Sequence, residues 1–445
     1  MDNRGDEQGR DLSGLRVREP QEDQRRRQRR KRIARRLTSA LAGTYLLVLA
    51  GAYLYAFHAV PRLPRPKRPP LQQPGGMLRQ LTFYSPTRLA WSSDGKRLAF
   101  TIDDLENPWR VIAGVWSYVH FLPFTRGRPL PALVYLATVS ADGTDAAVVR
   151  IPGGLTPGTA LWRPGTRTLA IEAARLGFEG EDLQSEEGLW LFDPDRRELG
   201  PRLYAGECEL ISWSPDGQTL LYHAGGYTYY RRRYWVRDIE TRKVTEVPSP
   251  PAPRWIDRAW WSPDSRFIAF RCHNEWWSGD RRRRDFRVDG LWVVDLHYHK
   301  GKLIVAGEVE GLVWMSDGGL IVRRSGRHDG KRAITRLGRV DLDSGRVQWL
   351  PWRLPYTCMG IREARGNIVV ELASGVPRKD GQARYHLWRL GLSDGGLCRL
   401  ADCSFVYSWR MSPRGDKIAL AGLDVGPMPG LWVLDLEPRT TAARR

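Results

Sequence analysis

The stretch ELISWSPDGQTLLYH, residues 209–223, decides how the rest of the chain is read. An apolar run reaches Trp213, breaks at Ser214-Pro215-Asp216-Gly217, and resumes as a second apolar run. Asp-Gly between two strand-like runs marks a hairpin, because glycine takes the positive φ that such turns demand. Nearly the same words return as AWWSPDSRFIAF at 259–270 and LAWSSDGKRLAF at 89–100. Aligning on the tryptophan gives Trp91, Trp162, Trp213, Trp261 and Trp314, then Ile361 and Met411 in degenerate copies. The steps are 71, 51, 48, 53, 47 and 50 residues, and self-similarity at such a period is the signature of a repeat architecture.

Each copy continues in the same way. A second hairpin begins with GLWLFDPD (188–195), YWVRDIET (234–241), GLWVVDLH (290–297) or GLWVLDLE (430–437), and a fourth short apolar strand follows, as in RVQWL (346–350). Four antiparallel strands roughly every 50 residues make the unit of a β-propeller blade. The runs are apolar at successive positions rather than alternating, which suits blades packed on both sides. Before the first tryptophan, LRQLTF (78–83) is a fourth strand with no blade of its own, and the last copy lacks a fourth strand. Pairing the two completes seven blades and closes the ring.

The phrases SWSPDGQTLLYH and GLWVVDL resemble the WD-repeat-like propeller repeat of TolB and of the propeller in prolyl-oligopeptidase-type peptidases. The resemblance covers residues 77–437 and implies an all-β, seven-bladed propeller of four-stranded antiparallel blades. It implies little about activity, since propellers host many. The TolB family has six blades, a separate N-terminal domain and no membrane anchor. The peptidases carry a hydrolase domain, for which the repeats here leave no room.

Residues 1–36 are polar and include RRRQRRKRIARR (25–36), which predicts a disordered basic cytoplasmic tail. Residues 37–60 contain no Lys, Arg, Asp or Glu and are long enough to cross a bilayer, so a single signal-anchor helix is expected there. Thirteen Lys and Arg precede this run and only Arg62, Arg65, Lys67 and Arg68 closely follow it, which keeps the N-terminus cytoplasmic and exports the rest across the plasma membrane. Residues 61–76 are Pro-rich and read as a stalk, and 438–445 as a basic C-terminal tail. With 70 Lys and Arg against 50 Asp and Glu, the net charge of +20 favours acidic partners. The Arg run is sufficient as a topology signal, so no nucleic-acid partner is expected. Five cysteines are too few for a disulfide scaffold; Cys398 and Cys403 are the one candidate pair, with buried thiols the alternative.

Strand order puts the Asp-Gly turns on one face and the irregular connections on the other, where binding residues gather. Three insertions on consecutive blades form a candidate ligand patch: Arg231, Arg232 and Arg233; Trp276, Trp277, Arg281, Arg282, Arg283 and Arg284; Arg323 and Arg324. Arginine beside aromatic rings suits an anionic polymer, and a solvated Arg-rich surface is the alternative. The apolar insertion at 102–133 packs over the propeller or meets a partner. Four residues before the tryptophan slot stand Glu209, Asp257 and Glu310, weak candidates for catalysis or for a structural cation at the channel mouth. No cofactor is expected. The reading is a non-catalytic binding or assembly module at the cell envelope, with an anionic envelope polymer or a protein as partner; the alternative is a glycan hydrolase or lyase using those carboxylates.

Overall fold

The computed structural model describes residues 20–58, 69–82, 86, 88–103, 134–179, 182–225, 233–250, 255–273, 290–307, 309–328, 332–354, 358–377, 383–403, 408–422 and 430–436. The chain forms two compact units, residues 1–59 and 60–445.

The second unit is the ring of blades. Six sheets have four antiparallel strands in sequence order, with first strands Leu89–Trp91, Thr156–Trp162, Cys208–Trp213, Trp255–Trp261, Gly311–Trp314 and Cys358–Ala364. The seventh takes Ser408–Met411, Lys417–Gly422 and Gly430–Leu436 from the chain's end, then Gly76–Thr82 from its beginning. Gly76 pairs with Leu436 and Thr82 with Leu431, so the expected closure is present. Leu71–Gln73 adds a fifth strand by pairing with Gly76–Leu78. The segment read as a stalk therefore enters the sheet at its end.

Each first strand contacts the first strand of the next blade, all the way round from Ser408–Met411 back to Leu89–Trp91. The described core likewise falls into seven clusters, one at each blade–blade interface. Between blades one and two, Ala99, Leu136 and Val149 meet Trp162, Leu169 and Ile171. Removing such surfaces from water is the force that holds like wedges in a wheel. The slot tryptophans also tie blades together by hydrogen bonds. Trp91 Nε1 donates to Arg410 O (3.0 Å), Trp213 Nε1 to Leu161 O (3.1 Å) and Trp314 Nε1 to Trp260 O (3.2 Å). Each acceptor lies one residue before the slot in the preceding blade.

Blade six departs from the sequence alignment. Ile368 pairs with Glu363, not with Ile361, so the slot lies two residues later than the repeat suggests. The cause is its turn: Arg365 (φ 52°) and Gly366 (φ 76°) make a two-residue hairpin in place of the longer Ser-Pro-Asp-Gly turn. In blade seven the interface tryptophan is Trp409, two residues before Met411.

The N-terminal unit contains one helix, Pro20–His58, of 39 residues. The tail read as disordered over 1–36 is thus helical from residue 20, where Pro at the first position and a Gln-, Glu- and Arg-rich run favour helix. The apolar run at 37–60 lies in the same helix up to His58. Among the described residues no helix is long and apolar enough to cross a membrane; the side chains at 49, 50 and 52–58, and residues 59 and 60 entirely, lie outside that description. Cys398 is a free thiol. It shares the strand Leu397–Cys403 with Cys403, and five residues of extended chain, about 16 Å, exceed any disulfide span. The proposed pair does not form.

Candidate functional site

The structure assembles polar side chains at a place that the slot alignment missed. Three residues after the second-strand position facing the slot stand Thr101, Glu172, His223, Arg271, Arg323, Glu371 and Ala421, one per blade. Six of the seven are polar on otherwise apolar strands, and that periodic interruption was available in the sequence. Several of them reach across to the next blade. Glu172 accepts from Leu210 N (3.3 Å), Arg271 Nη1 donates to Glu310 O, and Glu371 accepts from Trp409 Nε1 (2.7 Å).

Two of the three sequence candidates, Glu209 and Glu310, stand at the level of this ring, each opposite a different member of it. Glu209 pairs in register with His223. Asp257 occupies a bulge between Ile256 and Arg258, and its side chain lies outside the described residues. Glu310 is matched to Arg323: the carboxylate stands 3.8 Å from Nη2, and Glu310 O accepts from the same nitrogen (2.9 Å). Arg323, expected in an exposed patch, is 7% exposed and belongs to this internal pair. Burying a guanidinium is costly unless it is paired in this way. Arg324, its neighbour, is exposed. Arg233 is exposed and 3.8 Å from Glu246. Arg231, Arg232, Trp276, Trp277, Arg281, Arg282, Arg283 and Arg284, and 104–133 of the blade-one insertion, lie outside the described residues.

What the structure does bring to Glu209 is Glu172. Both line a cleft of about 480 Å³ between blades two and three on the loop-rich side, together with Glu187, Glu207, Cys208 and Arg88. Glycine at 158 leaves room for it, since a Cβ there would lie 2.9 Å from Glu172 Oε1. Burial pushes the Glu172 carboxyl up, and the Glu209 charge adds to this; the Leu210 N–H, Arg88 (3.7 Å) and Thr159 oppose it. Arg88 also donates to Thr159 Oγ1. A carboxyl held toward its protonated form beside a second carboxylate is the raw material of acid–base chemistry. Cys208 is not a nucleophile at neutral pH: burial and the neighbouring Glu172 and Glu187 push its thiol up to about 12. No group of His, Cys, Asp and Glu that could hold a metal occurs among the described residues.

A larger groove of about 1400 Å³ opens on the opposite face around blades seven, one and two. Several of its charges are already paired, Arg97 with Asp195 (2.7 Å) and Lys417 with Asp435 (2.6 Å). Gly391-Leu392-Ser393-Asp394-Gly395 has the spacing of a hydrolase nucleophile elbow. It forms the tight turn between the third and fourth strands of blade six, with Gly395 N on Gly391 O (2.9 Å), and so lacks the strand–turn–helix setting.

No protein-family model and no curated protein matches the sequence. Solved propellers match in structure. An oligogalacturonate lyase in complex with manganese shares 13% identity over 85% of this chain and 98% of its own, at a TM-score of 0.55. The tricorn protease shares 12% identity over 79% of this chain, at a TM-score of 0.51, and the chain spans 33% of its length. TolB from Acinetobacter baumannii shares 15% identity over 77% of this chain and 81% of its own, at a TM-score of 0.36. At these identities the likeness is one of fold, and the fold is the WD-repeat-like β-propeller that the tryptophan phrase resembled.

Proposed function

We propose that the chain is a membrane-anchored, extracytoplasmic propeller that serves as a binding or assembly module at the cell envelope, its loop-rich face engaging an anionic polymer or a protein. One observation carries this reading: every connection from second to third strand leaves on the same face of the ring, opposite the short bonded turns. Variable connections on a rigid scaffold are where recognition is built. In the sequence, Arg231 to Arg233, Trp276, Trp277, Arg281 to Arg284 and Arg324 fall in or beside the second-to-third-strand connections of three successive repeats.

Anchoring is supported by the charge-free run 37–60, of which 37–58 lie in the helix Pro20–His58, by exposed Leu37, Leu41, Leu47 and Val48, and by the 13 Lys and Arg on its N-terminal side. The test is retention of the full chain on anionic envelope polymer at rising salt. Replacing Arg281, Arg282, Arg283 and Arg284 together by Ser is expected to weaken retention at least tenfold and to flatten its salt dependence. Unchanged retention overturns the reading.

A second reading is favoured by the cleft: Glu172, held toward its protonated form beside Glu209, gives an acid and a base for glycan hydrolysis or elimination. Glu172→Gln and Glu209→Gln would then abolish turnover of an oligosaccharide while leaving polymer retention intact. A pure binding module shows no turnover to lose.

A further inference from the structure

The central channel carries a charge cluster that neither the cleft nor the loops use. Arg258 stands on the first strand of blade four, Arg362 on that of blade six and Arg410 on that of blade seven. Blade five separates four from six, and at least two blades separate four from seven in either direction. Charges on these strands therefore act on one another only across the channel. By surface area Arg362 is half-buried while Arg258 and Arg410 are exposed. Enclosure by the surrounding strands, then the charges of Arg410 and Arg258, push the Arg362 guanidinium down to about 10, and the same enclosure with Arg258 lowers Arg410 in the same sense. A guanidinium so lowered is still cationic at neutral pH.

Little offsets this repulsion. Arg362 Nη1 donates to Ile361 O (2.7 Å) and the guanidinium lies over the Trp409 ring at 5.4 Å, while Arg410 Nη1 donates to Trp409 O (3.0 Å). These partners are neutral. Among the described residues none of the three arginines is in an ion pair. Glu371 is the carboxylate that acts on Arg362, and it is committed to the Trp409 indole and raised by its own burial. Behind it, the buried Arg323 keeps Nε and Nη1 without an acceptor. Guanidinium donors in excess over acceptors around one channel are what an oxyanion completes.

We propose that the channel binds an oxyanion, the phosphate or carboxylate group of a small ligand, between Arg258, Arg362 and Arg410. Arg362 and Arg410 occupy equivalent positions one residue before the slot, and Arg258 lies two residues nearer the loop-rich face. The ligand enters from that face with its anionic group foremost. The site requires neither the membrane anchor nor a macromolecular partner, so it stands or falls apart from the proposed function.

Thermal unfolding of the full chain tests it, with inorganic phosphate and citrate titrated against chloride at constant ionic strength. The expected result is a saturable rise in midpoint, with phosphate alone effective for a phosphate site and citrate alone for a carboxylate site. Arg410→Gln and Arg258→Gln should each raise the half-saturating concentration at least tenfold, while Arg167→Gln on the turn face leaves it unchanged. In chloride alone Arg258→Gln should unfold at or above the wild-type midpoint, because it removes a repulsion. Should Arg410→Gln fail to fold, the exposed Arg258 carries the test. No saturable rise, a rise equal in chloride, or one undiminished in Arg258→Gln overturns the proposal.

Discussion

The two faces of the ring are made by the same strands and follow different rules. On the turn face the inner hairpins of blades one, three and four are closed by one device. Ser214 Oγ donates to Asp216 Oδ1 (2.5 Å) and accepts from Thr219 N (2.9 Å), and Gln218 N reaches the same carboxylate (2.9 Å). Ser92 with Asp94 and Ser262 with Asp264 repeat it. Neighbouring turns are then laced sideways: Gly165 N donates to Ser93 Oγ (3.0 Å), Asp216 N to Ser265 Oγ (3.2 Å) and Arg163 Nε to Gly217 O (2.8 Å). Gly217 has φ 71°, and a Cβ there would lie 2.5 Å from Pro164 O, so glycine is required by conformation and by contact. On the loop-rich face the corresponding connections range from residues 180–181 in blade two to 104–133 in blade one. The contrast teaches that periodic residues specify the wheel and that individuality is confined to one side of it.

The most severe way to break this contrast is to remove the shared blade. Deleting residues 430–445 takes away the partner of Gly76–Thr82 and uncovers the interfaces on both sides of blade seven. Loss of the cooperative unfolding transition by calorimetry is the expected outcome. A smaller effect separates the faces directly. Ser214→Ala deletes a fully buried hydroxyl that serves three partners and should cost about 1–3 kcal/mol in urea unfolding. Arg324→Ser, exposed at the other face, should stay within about 0.5 kcal/mol. Equal costs would erase the distinction.

Acid titration sharpens it further, since carboxylates on the two faces are shifted in opposite senses. The Ser140 hydroxyl, with the Thr144 hydroxyl and N–H, lowers Asp142 from 3.8 to about 2. Its contribution is present above the unfolded value and is lost as pH falls from 3.8 toward 2. Glu172 is raised above 4.5, so its charged form opposes folding and that opposition disappears as pH falls through the raised value. Asp142→Asn should flatten the acid limb of stability below pH 4, and Glu172→Gln should flatten the slope just above 4.5 in the opposite direction. Identical profiles in both variants and wild type would remove the electrostatic part of the contrast.

Most of the wheel was legible because its causes are local and repeated. Trp213, Ser214, Asp216 and Gly217 each do a definable job, and each recurs at nearly fixed spacing. Blade six was misaligned by two residues because Arg365-Gly366 makes its turn in a different way, and counting from Trp314 cannot see a change of turn type. The candidate site was less legible. Glu209 was singled out but its companion Glu172 was not, since the two meet across an interface between blades and not within one repeat. Arg323 was assigned to solvent because it sits in an Arg-rich run; its burial follows from standing opposite Glu310. Arg258, Arg362 and Arg410 come together only when the ring is closed, so no window of sequence contains them all.

The seam between Gly76–Thr82 and Gly430–Leu436 sets the order in which this molecule can mature. During synthesis the early strand has only Leu71–Gln73 beside it and no mate on its other edge until the last blade leaves the ribosome, so an incomplete chain presents an unpaired edge. The same seam receives any mechanical load, because tension along the N-terminal segment is delivered first to the outermost hairpin, Leu71–Gln73 with Gly76–Leu78, and peels it bond by bond.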